Sequence, residues 1–278
     1  KVTTQLEMKK IYNVVIVGAG PAGSSAAYDL ATAGARVLIV DKACFPREKP
    51  CGGGLTVKTL KALRFDVSDI VCQVCDHISL SNNFHQIIKD KASGPLSYMT
   101  IRRDFDQFCL DQALKAGAEF AVMNITDINF KMADRVVLIS EDATEIEASF
   151  VVAADGSKSR LRHLMMPDDK PLYAFAVEGK AAFPKDYDPH CLTVDFFVMP
   201  HGYGWIFPKK DHVNIGIGSF KARKEKGKKI SKASLLEYCQ KKLGHKEIYD
   251  MIGYPLAGGG DRNKMSQGRV LFVGDAAG

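Results

Sequence analysis

Residues 11–41 read IYNVVIVGAGPAGSSAAYDLATAGARVLIVD. The apolar run at 14–17 has the unbroken hydrophobicity of a strand buried on both faces. It breaks at Gly18-Ala19-Gly20-Pro21-Ala22-Gly23, and small residues then predict a helix over 24–33. A second apolar run at 37–40 ends on Asp41. Strand, glycine turn, helix, strand and acid in this order predict a dinucleotide-binding βαβ unit. Gly18 serves the tight turn, Gly20 lets the backbone approach a pyrophosphate, and Gly23 lets helix and strand pack closely. The helix N-terminus offers N–H groups and partial positive charge to the phosphates. Asp41 follows Gly23 by eighteen residues, where a carboxylate can accept the ribose hydroxyls.

The rest of the composition narrows the class. At 278 residues, 46% hydrophobic and 25% charged, the chain has the material of one large or two modest globular domains. No apolar stretch reaches the roughly 18 residues of a membrane span, and no export signal opens the chain. Seven irregularly spaced cysteines read as reduced thiols, so a cytoplasmic location is expected. The net charge of +6 is concentrated at residues 221–229, KARKEKGKK, with six cations and one anion. That run reads as a solvated loop, or as peripheral contact with anionic lipid headgroups or a substrate phosphate. No aromatic residues interleave it, which argues against nucleic acid.

After Asp41 and Lys42, residues 42–54 hold two prolines and the triple glycine Gly52-Gly53-Gly54, a loop composition. The glycines are expected to open a helix over 55–63, a second place for N–H groups to meet a ligand. Residues 77–80 and 84–89 predict a hairpin turning at 81–83, and 98–101 a short strand. An amphipathic helix is predicted over 102–116, ended by Gly117. Strands follow at 120–125, 135–139, 146–148 and 150–154, the last running into Asp155-Gly156. From 172 to 220 the texture changes to alternating strands at 173–182, 191–198, 204–207 and 213–219, an antiparallel sheet. A helix is expected over 231–243, then the turn-like PLAGGG at 255–260, then a strand at 269–273 ending in Gly274-Asp275.

Three glycine-acid signals therefore close three apolar strands. Their order resembles the FAD-binding domain of the para-hydroxybenzoate hydroxylase superfamily. Pro50-Cys51-Gly52-Gly53-Gly54 and Tyr203-Gly204-Trp205-Ile206-Phe207-Pro208, with Gly216-Ile217-Gly218 beyond, resemble the geranylgeranyl reductase family within it. The fold class expected is α/β (α+β overall), a Rossmann-like FAD-binding domain with a parallel sheet and an interleaved substrate domain on an antiparallel sheet. The expected segments are 1–75, 99–168 and 261–278 for FAD binding and 76–98 and 169–260 for substrate. A strand-turn such as 269–275 normally feeds a helix, so the resemblance implies a C-terminally truncated member.

The resemblance implies roles residue by residue. Gly18, Gly20, Pro21, Ala22 and Gly23 would cradle the FAD pyrophosphate, with Asp41 and Lys42 at the adenosine ribose. Cys51, Gly52 and Gly54 would lie near the isoalloxazine, and Arg102 would contact FAD. Thr126 marks the strand end passing the adenine. Asp155-Gly156 would support the same region, and Gly274-Asp275 would hold the ribityl and pyrophosphate side. Cys51, in a cationic loop beside a glycine turn, is a candidate for substrate positioning or protonation. Tyr203 and Trp205 share a strand face with Phe207, either as sheet packing or as an apolar wall for a prenyl chain. Cys72 and Cys75 form a lone CxxC, read as strand-edge thiols without metal.

The activity implied is saturation of C=C bonds in a geranylgeranyl or other polyprenyl group by hydride transfer from reduced flavin. Only one dinucleotide fold is visible, so NADPH visits transiently or a reduced carrier supplies electrons. Two alternatives share the scaffold. One is a flavin-dependent monooxygenase or halogenase, although halogenases carry W-x-W-x-I-P where this chain has Tyr203 and Phe207-Pro208. The other is a flavin-binding protein without turnover.

Overall fold

A computed structural model of the chain describes residues 11–132, 134–169, 171–220, 229–260 and 264–278. The contacts divide it into two compact units, 1–45 with 109–170 and 261–278, and 46–108 with 171–260.

The first unit is built on a largely parallel sheet. Its strands run in the order Ser266–Gln267, Val270–Phe272, Glu145–Ala153, Ile11–Val17, Val37–Asp41 and Glu119–Val122. From Val270–Phe272 to Glu119–Val122 every neighbouring pair is parallel. Successive side chains alternate between the two faces, and both faces are covered. Val14, Ile16, Val37 and Ile39 pack with Ala27 and Ala31 of the helix Pro21–Thr32 and with Leu110 and Ala113 of the helix Arg102–Lys115. Val15, Val17, Leu38 and Val40 pack with Leu161 of the helix Arg160–Met165 on the other face. Burial on both sides is why these strands carry no polar alternation. The expected strands at 146–148 and 150–154 are one strand, Glu145–Ala153. Its first half also takes Arg135–Ser140 in antiparallel pairing, with Ile125–Met132 beyond.

The second unit holds a seven-stranded sheet in the order Tyr249–Gly260, Pro171–Ala181, Val213–Ser219, Gly202–Pro208, Cys191–Phe196, His77–Asn82 and His85–Lys91. It is antiparallel except where Cys191–Phe196 runs parallel to His77–Asn82. The hairpin turns on Asn83 and Phe84, both at positive φ, rather than at 81–83. The helix Lys232–Leu243 starts in a Ser231 and Ser234 capping box and ends at Gly244 in the left-handed region. Its Leu235, Tyr238 and Cys239 pack on Val177, Ile206, Ile215 and Ile217 from one sheet face.

Two expectations are corrected here. The residues after the triple glycine form the strand Gly54–Thr56, paired with Ser97–Met99, before a short helix Val57–Ala62 begins. Thr56, not a glycine, caps that helix, so residues 52–54 offer no helix N-terminus. The PLAGGG segment belongs to the edge strand Tyr249–Gly260, where Pro255 opposite Phe175 needs no outward partner for its missing N–H. By their contacts, segments 46–75 and 99–108 group with the second unit. Their backbone is tied there through Thr100, Glu178 and Lys209. Of the basic run 221–229, residues 221–228 lie outside the described residues.

Candidate functional site

In the first unit the strand ends converge. The Gly18 N–H donates to the Val40 carbonyl at 2.7 Å and the Ala154 N–H to the Val17 carbonyl at 2.8 Å. The Val273 N–H donates to the Ala153 carbonyl at 3.0 Å, extending the ladder to the Gly274-Asp275 turn. Gly18 has φ +106°, and a Cβ there would collide with the Ala154 carbonyl. A Cβ on Gly23 would strike the Gly18 carbonyl, and one on Gly274 would lie 2.7 Å from the Ala22 side chain. The glycine turn, the Asp155-Gly156 turn and the Gly274-Asp275 turn are therefore immediate neighbours.

Gly20 is the N-cap of the helix Pro21–Thr32 and Pro21 occupies its first turn, with no side chain capping the N–H groups. Such an end suits an anion. The Asp41 carboxylate accepts the Ala19 N–H at 2.8 Å and the Ala43 N–H at 2.9 Å. Lys42 beside it is exposed. The Asp155 carboxyl accepts the Leu161 N–H at 3.1 Å through Oδ2. Among the described residues its buried Oδ1 has no hydrogen-bond partner, and burial raises the carboxyl pKa above the usual value. Asp275 is exposed in the short turn Gly274–Ala276. Arg162 donates to the carbonyls of Ala276 and Ala277 at 3.1 and 3.3 Å and fixes that turn. Thr126 lies in the strand Ile125–Met132, where its carbonyl accepts Arg160 Nε at 3.2 Å. Asp41 stands opposite Val122, and the next residue, Met123, donates its N–H to the Asp41 carbonyl at 2.8 Å. The neighbouring strand ends at Val122, a boundary that the apolar run at 120–125 conceals. Turns packed backbone to backbone, an uncapped helix end and, among the described residues, a buried carboxyl oxygen without a hydrogen-bond partner together fit a dinucleotide.

Cys51, Gly52, Gly54 and Arg102 belong to the second unit. There the face of the sheet opposite the helix carries Trp205, whose indole N–H donates to Asn214 Oδ1 at 2.7 Å. Its ring lies over Gly216, where a Cβ would meet the indole. Tyr203 and Phe207 flank it, with ring centres 5.8 and 6.5 Å from the indole. Gly52 approaches this stripe, since its Cβ would lie 2.6 Å from the Phe207 ring. Burial, and secondarily the Cys51 thiol, raises the Tyr203 phenol pKa. Cys51 itself is exposed.

Arg102 grips Asp106 with two parallel hydrogen bonds of 2.7 and 2.9 Å, and Arg47 adds a contact at 3.0 Å. Burial opposes the charge on Arg102, but the fully buried Asp106 carboxylate outweighs it and raises the pKa. Two further residues reach the Cys51 loop, Glu178 and Lys209. Neither is marked by a local motif. The available signal for Glu178 is its parity with Ala174 and Ala176, an acid at an inward position of an alternating strand. Cys72 donates to the Met99 carbonyl, and burial pushes the Cys75 thiol up to about 12. Among the described residues no group of three His, Cys, Asp or Glu could hold a metal.

The FAD binding domain family matches residues 11–278. The chain is 30% identical to the digeranylgeranylglycerophospholipid reductase of Methanosarcina acetivorans, over 97% of this chain and 70% of that protein. It is 31% identical to the geranylgeranyl diphosphate reductase of Synechocystis, over 96% of this chain and 69% of that one. Among solved structures, a geranylgeranyl bacteriochlorophyll reductase-like protein of Thermoplasma acidophilum superposes with a TM-score of 0.82 at 24% identity. It covers 97% of this chain and 72% of that one. That likeness establishes the α/β fold.

Proposed function

Because the chain belongs to the FAD binding domain family of FAD-dependent oxidoreductases, we propose that it saturates C=C bonds of a geranylgeranyl or other polyprenyl chain. The named reductases among its relatives support the reaction class. The observation that carries the substrate class is the Tyr203, Trp205 and Phe207 stripe, a wall of aromatic rings held rigid by Asn214 and backed by Gly216. An isoprenoid presents no polar handle along its length, so flat apolar surface is what can align it.

When bound, FAD supplies hydride-transfer chemistry that no side chain provides. Gly18, Gly20, Pro21, Ala22 and Gly23 hold the pyrophosphate through backbone N–H groups and the helix end. Asp41 takes the ribose hydroxyls with the lone pairs that Ala19 and Ala43 leave free, beside Lys42. Asp155, Gly156, Gly274 and Asp275 bound the remaining side of that cradle. Cys51, Gly52, Gly54 and Arg102 are assigned to the flavin and substrate end, with Cys51 positioning substrate or passing a proton. Thr126 is retained only as a marker of the adenine-side strand. NADPH or a reduced electron carrier supplies the electrons, and residues 221–229 make peripheral contact with a membrane carrying the substrate. Among the described residues no helix is long and apolar enough to cross a membrane.

The test is anaerobic incubation of the FAD-loaded, dithionite-reduced protein with geranylgeranyl diphosphate and with geranylgeranylated lipid, read by mass spectrometry. Gains of pairs of hydrogens support the reading. No gain with any prenyl substrate while the flavin is reoxidised by another acceptor overturns it.

A further inference from the structure

Gly204 lies between Tyr203 and Trp205 in the strand Gly202–Pro208, where a glycine weakens the strand. Its backbone does not call for glycine, since its φ lies outside the left-handed region. The requirement comes from the helix-covered face of the sheet. A Cβ at 204 would stand 2.6 to 3.0 Å from three carbons of the Tyr238 ring, so that ring lies on bare backbone. Tyr238 is buried and comes from the helix Lys232–Leu243. Phe84 braces it from the side, with ring centres 6.1 Å apart.

The Tyr238 hydroxyl donates to Asp195 Oδ2 at 2.5 Å. Lys242, four residues further along the helix, donates to Oδ1 of the same carboxylate at 3.1 Å. Asp195 is fully buried and pairs with Gly204 across the ladder. One tyrosine therefore touches both members of a cross-strand pair, Gly204 with its ring and Asp195 with its hydroxyl. The pairs on either side are Val194 with Trp205 and Phe196 with Tyr203. Side chains alternate along a strand, so Tyr203 and Trp205 project from the opposite face at these flanking positions. Burial, and then the Asp195 carboxylate, raise the Tyr238 phenol well above its usual pKa, so the hydroxyl keeps its proton and remains the donor. Burying a carboxylate is costly, and apolar groups of similar volume often hold a core equally well. A hydroxyl and a carboxylate, unlike two apolar groups, meet at one distance and in one direction.

We propose that Tyr238 is a positioning residue for the aromatic stripe. By pinning Gly204 and Asp195 from one face of the sheet, it fixes the separation and tilt of the Tyr203 and Trp205 rings on the other. Its bearing on substrate rests on the reading of the stripe as the prenyl wall, but the geometry is testable without substrate.

Trp205 is the only tryptophan of the chain, so tryptophan fluorescence reports on the stripe. The experiment is acrylamide quenching of the full chain without denaturant, with folding checked by far-ultraviolet circular dichroism. Trp205 is 5% exposed, so wild type should quench weakly. Tyr238→Phe keeps the ring and removes the hydroxyl, and is expected to raise the quenching constant about twofold. Asp195→Ala removes the acceptor and is expected to do the same. The double variant should go no further, since both changes delete one hydrogen bond, and additive rises would overturn the proposal. Ser231→Ala strips the capping box from the same helix without touching Gly204 or Asp195. It is expected to lower the urea midpoint and leave quenching at the wild-type value. A role in stability alone would give Tyr238→Phe that same pattern, and this result overturns the proposal. So does an equal rise in Ser231→Ala. If Tyr238→Phe does not fold, Asp195→Ala decides by the same reading. Quenching shifts as expected in a protein that reduces no prenyl chain would leave the positioning role standing and remove only the substrate assignment.

Discussion

The Asp41 carboxylate accepts the Ala19 N–H at 2.8 Å, joining the end of the second strand to the glycine turn that follows the first. The acid thus shapes the turn that is proposed to receive the cofactor. Asp41→Ala is expected to weaken FAD binding roughly 10- to 100-fold, about 1.4 to 2.8 kcal/mol. Asp41→Asn, which keeps one acceptor oxygen, should lose less. Flavin fluorescence titration measures both.

Gly18→Ala should unfold the first unit more readily than its backbone angle alone requires. Gly18 and Gly34 both have positive φ, at +106° and +85°, but only Gly18 would press a Cβ against a neighbour, the Ala154 carbonyl. Gly34→Ala is expected to cost about 1 to 2 kcal/mol and Gly18→Ala about 2 to 4. Urea denaturation of the two variants isolates the collision.

Asp106 is fully buried between Arg102 and Arg47. Asp106→Ala leaves two cations facing each other without their anion, and should destabilise the second unit by about 3 to 5 kcal/mol. Arg47→Met leaves the two Arg102 hydrogen bonds to Asp106 in place and should cost visibly less in the same urea titration.

Glu178 gives a pH signature. Its carboxyl is raised above the ordinary value of 4.5 by burial, so the folded state holds its proton more tightly than the unfolded state. The folded state then binds more protons, and stability falls as pH rises from about 4.5 through the raised value. Comparing wild type with Glu178→Gln cancels the other carboxyls. The wild-type denaturation midpoint should decline relative to the variant across that window, and a constant difference would contradict the assignment.

The nucleotide half was legible because its constraints are local. Glycines at fixed spacing, an apolar strand on either side and an acid at the second strand's end all fall within residues 11–41. The strand Tyr249–Gly260 was hidden by composition, since Pro255 and the glycines read as a turn until an edge position makes them acceptable. The strand Gly54–Thr56 was hidden by its partner Ser97–Met99, more than forty residues away. Glu178 and Lys209 act on a loop more than a hundred residues earlier, through register that no local pattern encodes. The aromatic stripe was legible because Tyr203, Trp205 and Phe207 share the two-residue period of one strand.

The proposed function requires the turns at 18–23, 155–156 and 274–275, with Asp41, to hold one FAD molecule. Titration of FAD into the apo-protein, followed by flavin fluorescence and the visible absorption of the retained cofactor, tests it most directly. One FAD per chain is expected, with affinity reduced in Asp41→Ala and in Gly18→Ala at a temperature where both remain folded. A protein that stays colourless, or binds FAD equally well in both variants, would contradict it.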